Sequence, residues 1–148
     1  MSFLSRIETM QGAVASRLRW LPPTLARLTL GWVFLMSGWG KLHHLDDITE
    51  FFESLHIPAA HIQAPFVAGC EFICGALILL GLVTRLAIVP LVVTMIVAIL
   101  TARREELTSI DALFGFIEYL YIVMLLYLAA EGPGPLSLDG LRGRSGRS

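Results

Sequence analysis

Residues 86–102, LAIVPLVVTMIVAILTA, carry no charge and no polar face, and no other stretch limits so tightly what this chain can become. A helix of a water-soluble bundle shows a polar stripe opposite its apolar one. A run that is apolar all round, apart from Thr94 and Thr101, belongs in lipid or in a deep core. Three further apolar runs cover residues 24–41, 62–83 and 111–130. Crossing about 30 Å of hydrocarbon takes roughly 20 residues of helix, so all four runs reach or approach the length of a membrane span. The second and third are separated only by Thr84-Arg85, which predicts a tight helical hairpin. Composition agrees: 55% of the 148 residues are hydrophobic and 16% charged, against about 25% charged in a soluble domain. The sequence predicts an all-α fold, an integral membrane four-helix bundle formed by residues 23–131, with the lipid bilayer as its first partner.

Lysines and arginines orient such a bundle. Arg6, Arg17, Arg19, Arg85, Arg142, Arg144 and Arg147 fall on one side of a four-span chain, and only Lys41, Arg103 and Arg104 on the other. The richer side is expected in the cytoplasm, with both termini. Residues 1–22 are too often interrupted by polar groups to be a secretory signal. Phe3, Ile7, Met10, Val14, Leu18 and Leu21 recur at helical spacing instead, which predicts an amphipathic interfacial helix ended by Pro22-Pro23. In the first outer loop, Asp47-x-x-Glu50 resembles a capping box. Ile48, Phe51, Phe52 and Leu55 form an apolar stripe behind it, so a short interfacial or lid helix is expected there. Residues 132–148 form a cytoplasmic tail whose Gly/Ser/Arg-rich end, from Gly140, is expected to be disordered. A net charge of −1 gives no reason to expect nucleic acid as a partner.

Function must lie in the polar residues placed where lipid would exclude them. A charge at membrane depth costs about 2.5–3.5 kcal/mol on insertion scales, so each should face the bundle interior. Glu71 falls near the middle of the second span and Glu118 slightly outside the middle of the fourth. Arg27, Gly31, Phe34, Gly38 and Lys41 lie on one narrow face of the first span, and Ala64, Ala68, Glu71 and Gly75 form a matching seam on the second. Small residues on both faces let two helices approach closely. Glu71 and Glu118 are therefore expected to share a polar site with Arg27 or Lys41. Depth favours Lys41, yet it starts roughly 12 Å above mid-membrane, which disfavours direct contact. A carboxyl left unpaired there would hold an exchangeable proton, and a paired one would be ionised and structural.

Each of these residues also has a plainer reading. Glu71 and Glu118 fit a register-fixing ion pair equally well, and Arg27 and Lys41 fit snorkelling to the two interfaces. The outer histidines, His43, His44, His56 and His61, have no ligand spacing, so no metal is expected. Cys70 and Cys74, four apart in an apolar helix, suit packing better than dithiol–disulfide exchange, which argues against a quinone-linked thiol oxidase. Tyr119, Tyr121 and Tyr127 are by default packing residues with hydrogen-bonded hydroxyls.

The pattern Arg27-x-x-x-Gly31-x-x-Phe34-x-x-x-Gly38-x-x-Lys41, followed by Ile57-Pro58, Glu71-x-x-x-Gly75 and Leu80-Gly81-Leu82-x-Thr84-Arg85, resembles the DoxX family. Glu118 and the ending Gly132-Pro133-Gly134-x-x-Ser137-Leu138-Asp139 extend the resemblance, which covers residues 27–141. It implies a small bacterial inner-membrane protein associated with redox metabolism. Such a protein is similar to a subunit of a thiosulfate:quinone oxidoreductase, or supports a soluble or membrane redox partner protein. On that reading Glu71, Glu118 and Lys41 are the catalytic candidates, Arg27, Tyr119 and Tyr121 the candidates for holding a quinone, and a homo-oligomer is compatible. A non-catalytic anchor or assembly protein, and a small proton-coupled transporter built on Glu71, stay open. No haem-attachment, nucleotide or other cofactor motif is present in the sequence.

Overall fold

The computed structural model describes Gly12 and residues 16–145. The N-terminal amphipathic helix expected over residues 1–22 lies largely outside the described residues. Seven helices follow: α1 (Leu21–His43), α2 (Leu45–Ser54), α3 (Ala60–Leu80), α4 (Thr84–Thr101), α5 (Ile110–Gly115), α6 (Ile117–Glu131) and α7 (Leu138–Ser145), with no strand among the described residues. The expected break before α1 falls at Arg19-Trp20, a turn, and Pro22 and Pro23 form the first turn of α1, where a missing N–H costs nothing.

One apolar core joins α1, α3, α4 and α6. Leu30 and Phe34 of α1, Ile78 of α3, Leu91 of α4, and Leu125 and Leu128 of α6 are its most deeply buried members. The outward faces remain apolar: Leu86, Val89, Val93 and Leu100 of α4 are all exposed. Two helices, α3 and α4, are long and apolar enough to cross a membrane. The helix α1 has 23 residues but carries Arg27 and Lys41 inside its apolar run.

The small-residue seam lies where the sequence pattern puts it. A Cβ at Gly31 would sit 2.6 Å from the backbone of Leu79. One at Gly38 would strike the backbone of Ala68 and Phe72, and one at Gly75 the backbone of Phe34 and Leu35. The two helices run antiparallel with their backbones nearly touching, which only glycine permits.

Several expectations are corrected. The run 111–130 is not one continuous helix. Ser109 caps α5 by accepting from Ala112 N–H, and the chain then breaks at Phe116, whose φ of −77° and ψ of 133° are extended. Phe116 is buried, with the Arg103 guanidinium 5.9 Å above its ring, so burying this aromatic under a cation outweighs continuing the helix. Glu118 therefore sits in the first turn of α6 rather than mid-helix. The outer-loop helix α2 starts two residues before the expected box, so Asp46 and Asp47 fall in its first turn, where they face the positive end of the helix dipole. The segment expected to be disordered is helical as far as Ser145. Ser137 is the reason: its Oγ accepts from Gly140 N–H, three residues on, the geometry of an N-cap.

The α3–α4 turn is closed by that same tail. Gly81, at φ +69°, ends α3 as Gly81 and Leu82 N–H donate back to Ile78 and Leu77 C=O, a Schellman arrangement. Asp139 then caps α4 from a distance, accepting from the N–H groups of Val83 and Thr84 at 3.0 Å each and from the Thr84 hydroxyl at 3.2 Å.

Candidate functional site

Lys41 and Glu71 meet directly. Lys41 Nζ lies 2.6 Å from Glu71 Oε1, and Ser37 Oγ donates to Glu71 Oε2 at 2.8 Å. The expected separation fails because the middles of the two helices do not face each other. Gly38 abuts Ala68 and Phe72, so the midpoint of α3 faces the last third of α1. Lys41 is then only about three residues, roughly 5 Å, beyond the level of Glu71, and its side chain leans back toward the α1 N-terminus to close that gap. Ser37 was not singled out from the sequence. Its signal was there: it precedes Lys41 by one helical turn, beside the glycine face.

The pair is asymmetric. The Glu71 side chain is wholly buried, whereas that of Lys41 keeps 27% of its surface exposed. What Lys41 faces is a cavity of about 470 Å³ between α2, α3 and α4. The stripe Ile48, Phe51 and Phe52 of α2, with Leu55 just past its end, forms one wall. Phe66, Val67 and Cys70 of α3 form a second, and Val93, Met95 and Val97 of α4 a third. The other polar groups around it are turned to backbone: Gln63 donates to Pro58 C=O, Thr94 to Pro90 C=O and Thr101 to Val97 C=O. The cavity is thus an apolar chamber with one charged donor in its wall, within the roughly 300–1,000 Å³ of small-molecule sites.

The remaining candidates sit elsewhere. Glu118 pairs with Arg103, whose Nε lies 3.2 Å from Glu118 Oε1, while Arg103 Nη1 reaches Glu106 at 3.2 Å. These hydrogen bonds, to Glu106 first and then to Glu118, hold the guanidinium above its ordinary value, so it stays charged. Glu118 Oε2 is buried without a partner. Arg27 does not snorkel. It is 4% exposed, and it donates to Leu79 C=O and, at 3.2 Å, to Leu136 C=O. Leu79 is in the last turn of α3, where carbonyls lack intrahelical partners and the dipole is negative; Arg27 supplies both missing terms. Tyr121 packs edge-on against Phe34 with ring centres 5.6 Å apart, and Tyr119 lies against Phe114 at 5.3 Å. Neither tyrosine lines the cavity. His43 and His44 bond back to the Trp39 and Gly40 carbonyls at the end of α1. The Cys70 and Cys74 sulfurs are 4.0 Å apart, and only Cys70 reaches the cavity.

Comparison with known proteins adds a lineage to this geometry. A family profile described as DoxX matches residues 23–104, a stretch that contains both partners of the ion pair. An uncharacterized membrane protein of Mycobacterium tuberculosis is 34% identical over 80% of this chain and 80% of its own length. A putative oxidoreductase of Bacillus subtilis, CatD, is 31% identical over 78% of this chain and 82% of its own. The inner membrane protein YqjF of Escherichia coli is 30% identical over 79% of this chain and 88% of its own. No solved structure matches.

Proposed function

This chain belongs to the DoxX family of membrane proteins, and from that premise we propose that it is the membrane subunit of a quinone-linked redox system. One observation carries the reading: the Lys41–Glu71 pair in the wall of an otherwise apolar cavity. The residues fit a quinone. The apolar walls suit its ring and the start of its isoprenoid tail, and Lys41 supplies a donor to a ring carbonyl. A bound quinone would supply two-electron, two-proton redox chemistry. The chain's own part is to bind, orient and hold charge: Ser37 fixes Glu71, Glu71 fixes Lys41, and Lys41 presents its remaining N–H groups to the cavity. The word oxidoreductase in the name of one relative supports the same direction. Electrons would come from a soluble or membrane redox partner protein.

The accompanying arrangement is four crossings of the bacterial inner membrane, by α1, α3, α4 and the broken pair α5–α6, with both ends in the cytoplasm. The cation bias of the loops supports it.

The test is chemical. Protein purified from membranes in mild detergent is extracted and analysed by mass spectrometry. Wild type is expected to carry endogenous quinone, and the double variant Lys41→Met/Glu71→Gln, which removes the donor without stranding a charge, is expected to lose at least nine-tenths of it. Wild type free of quinone, and unable to bind added quinone in vesicles, refutes the reading.

A further inference from the structure

The cavity is not walled evenly. Of its lining, Phe66 of α3 is 71% and Val93 of α4 54% exposed, so both carry apolar surface from the cavity wall to the outside of the bundle. On the α2 side the lining is Ile48, Phe51, Phe52 and, just past the helix end, Leu55, with Phe51 47% exposed, and the carboxylates of Asp46, Asp47, Glu50 and Glu53 are exposed there. One approach is therefore apolar and the other is acidic. At the inner end stands Lys41, a cation with three N–H donors, of which one is committed to Glu71. Both Glu71 oxygens already hold a donor and the side chain is wholly buried, so the cavity offers its occupant a donor and not a carboxylate.

We propose that the cavity opens sideways into the bilayer, between Phe66 and Val93, and takes up membrane-dissolved amphiphiles head first, selecting a hydrogen-bond-accepting head through Lys41. An acceptor head arriving from water would meet four carboxylates before it met Lys41. One arriving from lipid crosses only hydrocarbon. Free fatty acids and isoprenoid quinones share this chemistry, an acceptor head on an apolar tail. The inference thus builds on the quinone reading and extends it, because the route and the head selection hold for either molecule.

The test uses the whole chain in phosphatidylcholine vesicles with palmitate bearing a mid-chain diazirine. After irradiation, insertion sites are mapped by tandem mass spectrometry. Cys70 and Met95 are the reporters, since both line the cavity and Met95 is only 8% exposed, out of reach of bulk lipid. Adducts at these two positions are expected in wild type. They are expected to fall at least tenfold in Lys41→Met/Glu71→Gln. They should fall equally in Val93→Trp, which blocks the opening at an exposed position and leaves the ion pair in place. A headless diazirine alkane should label outward-facing Leu86 and Leu100 equally in all three. Adducts confined to those outer positions overturn the proposal, as do Cys70 or Met95 adducts that persist in both variants. Competition by a short-chain ubiquinone separates the two layers. If it displaces palmitate, both stand. If palmitate adducts depend on Lys41 and Val93 but ubiquinone never displaces them, the side opening stands and the quinone reading falls.

Discussion

Arg27 and Lys41 share one face of α1, yet each stabilises its charge differently. Arg27 donates to two carbonyls and leaves Nε without a hydrogen-bond partner, so its positive charge is met by dipoles. Lys41 meets a full negative charge in a buried setting, where losing one partner costs more than the pair contributes. Lys41→Met should therefore lower stability by about 3–5 kcal/mol, since Glu71 is left uncompensated at zero exposure. Lys41→Met/Glu71→Gln should recover most of that loss. Denaturation in mixed micelles measures both, and a double variant no more stable than the single one would mean the pair is not coupled. The importance of each residue was readable from the cost of a charge in lipid, and depth favoured Lys41 over Arg27, but the direct Lys41–Glu71 contact and the separate pairing of Glu118 with Arg103 were not readable. Pairing depends on how far α1 and α3 are offset along each other, a quantity set by Gly31, Gly38 and Gly75 and absent from any count of residues along one helix.

At the scale of elements, the glycine seam was the most legible feature, because small residues at helical spacing on two faces have few other uses in a membrane helix. Its prediction is sharp. Gly38→Ala should destabilise by about 1–3 kcal/mol through overpacking, whereas Gly69→Ala in α3, with open space around its Cβ position, should be neutral. Thermal melts of the two variants side by side decide it, and a neutral Gly38→Ala would show that the helices do not touch there. The break at Phe116 was not legible. Residues 111–130 read as one apolar run, and nothing in hydropathy marks the point where an aromatic turns inward under Arg103. Glu118 was misplaced for the same reason. The helical tail was missed because composition alone says Gly, Ser and Arg, whereas Ser137 acts through one local hydrogen bond.

Across the whole molecule, the proposed four crossings make a topological prediction. Cysteines placed at Ser54, in α2, and at Ser145, at the end of α7, should be labelled from opposite faces of the membrane. Labelling of both by an impermeant reagent applied to intact cells would reverse the orientation of one half. The apolar exterior, the hairpin at Gly81 and the antiparallel α1–α3 contact were all foreseeable from run lengths and spacing. The cavity was not, because it is bounded by a loop helix whose stripe could be recognised but whose landing place could not.

The Arg27 clasp also sets a clock on biogenesis. Its second acceptor, Leu136 C=O, lies 109 residues downstream, and the first, Leu79 C=O, arrives only with α3. At about 5–20 residues per second, a newly made α1 waits roughly 5–20 s before the chain that supplies the second acceptor has been made. For the first part of that interval the guanidinium lacks both acceptors, and once α3 is made it has Leu79 C=O alone. A nascent chain that stops between α3 and Leu136 keeps Leu79 C=O and lacks the second acceptor, so the contact that ties the two ends of the finished protein together marks an unfinished one by its absence.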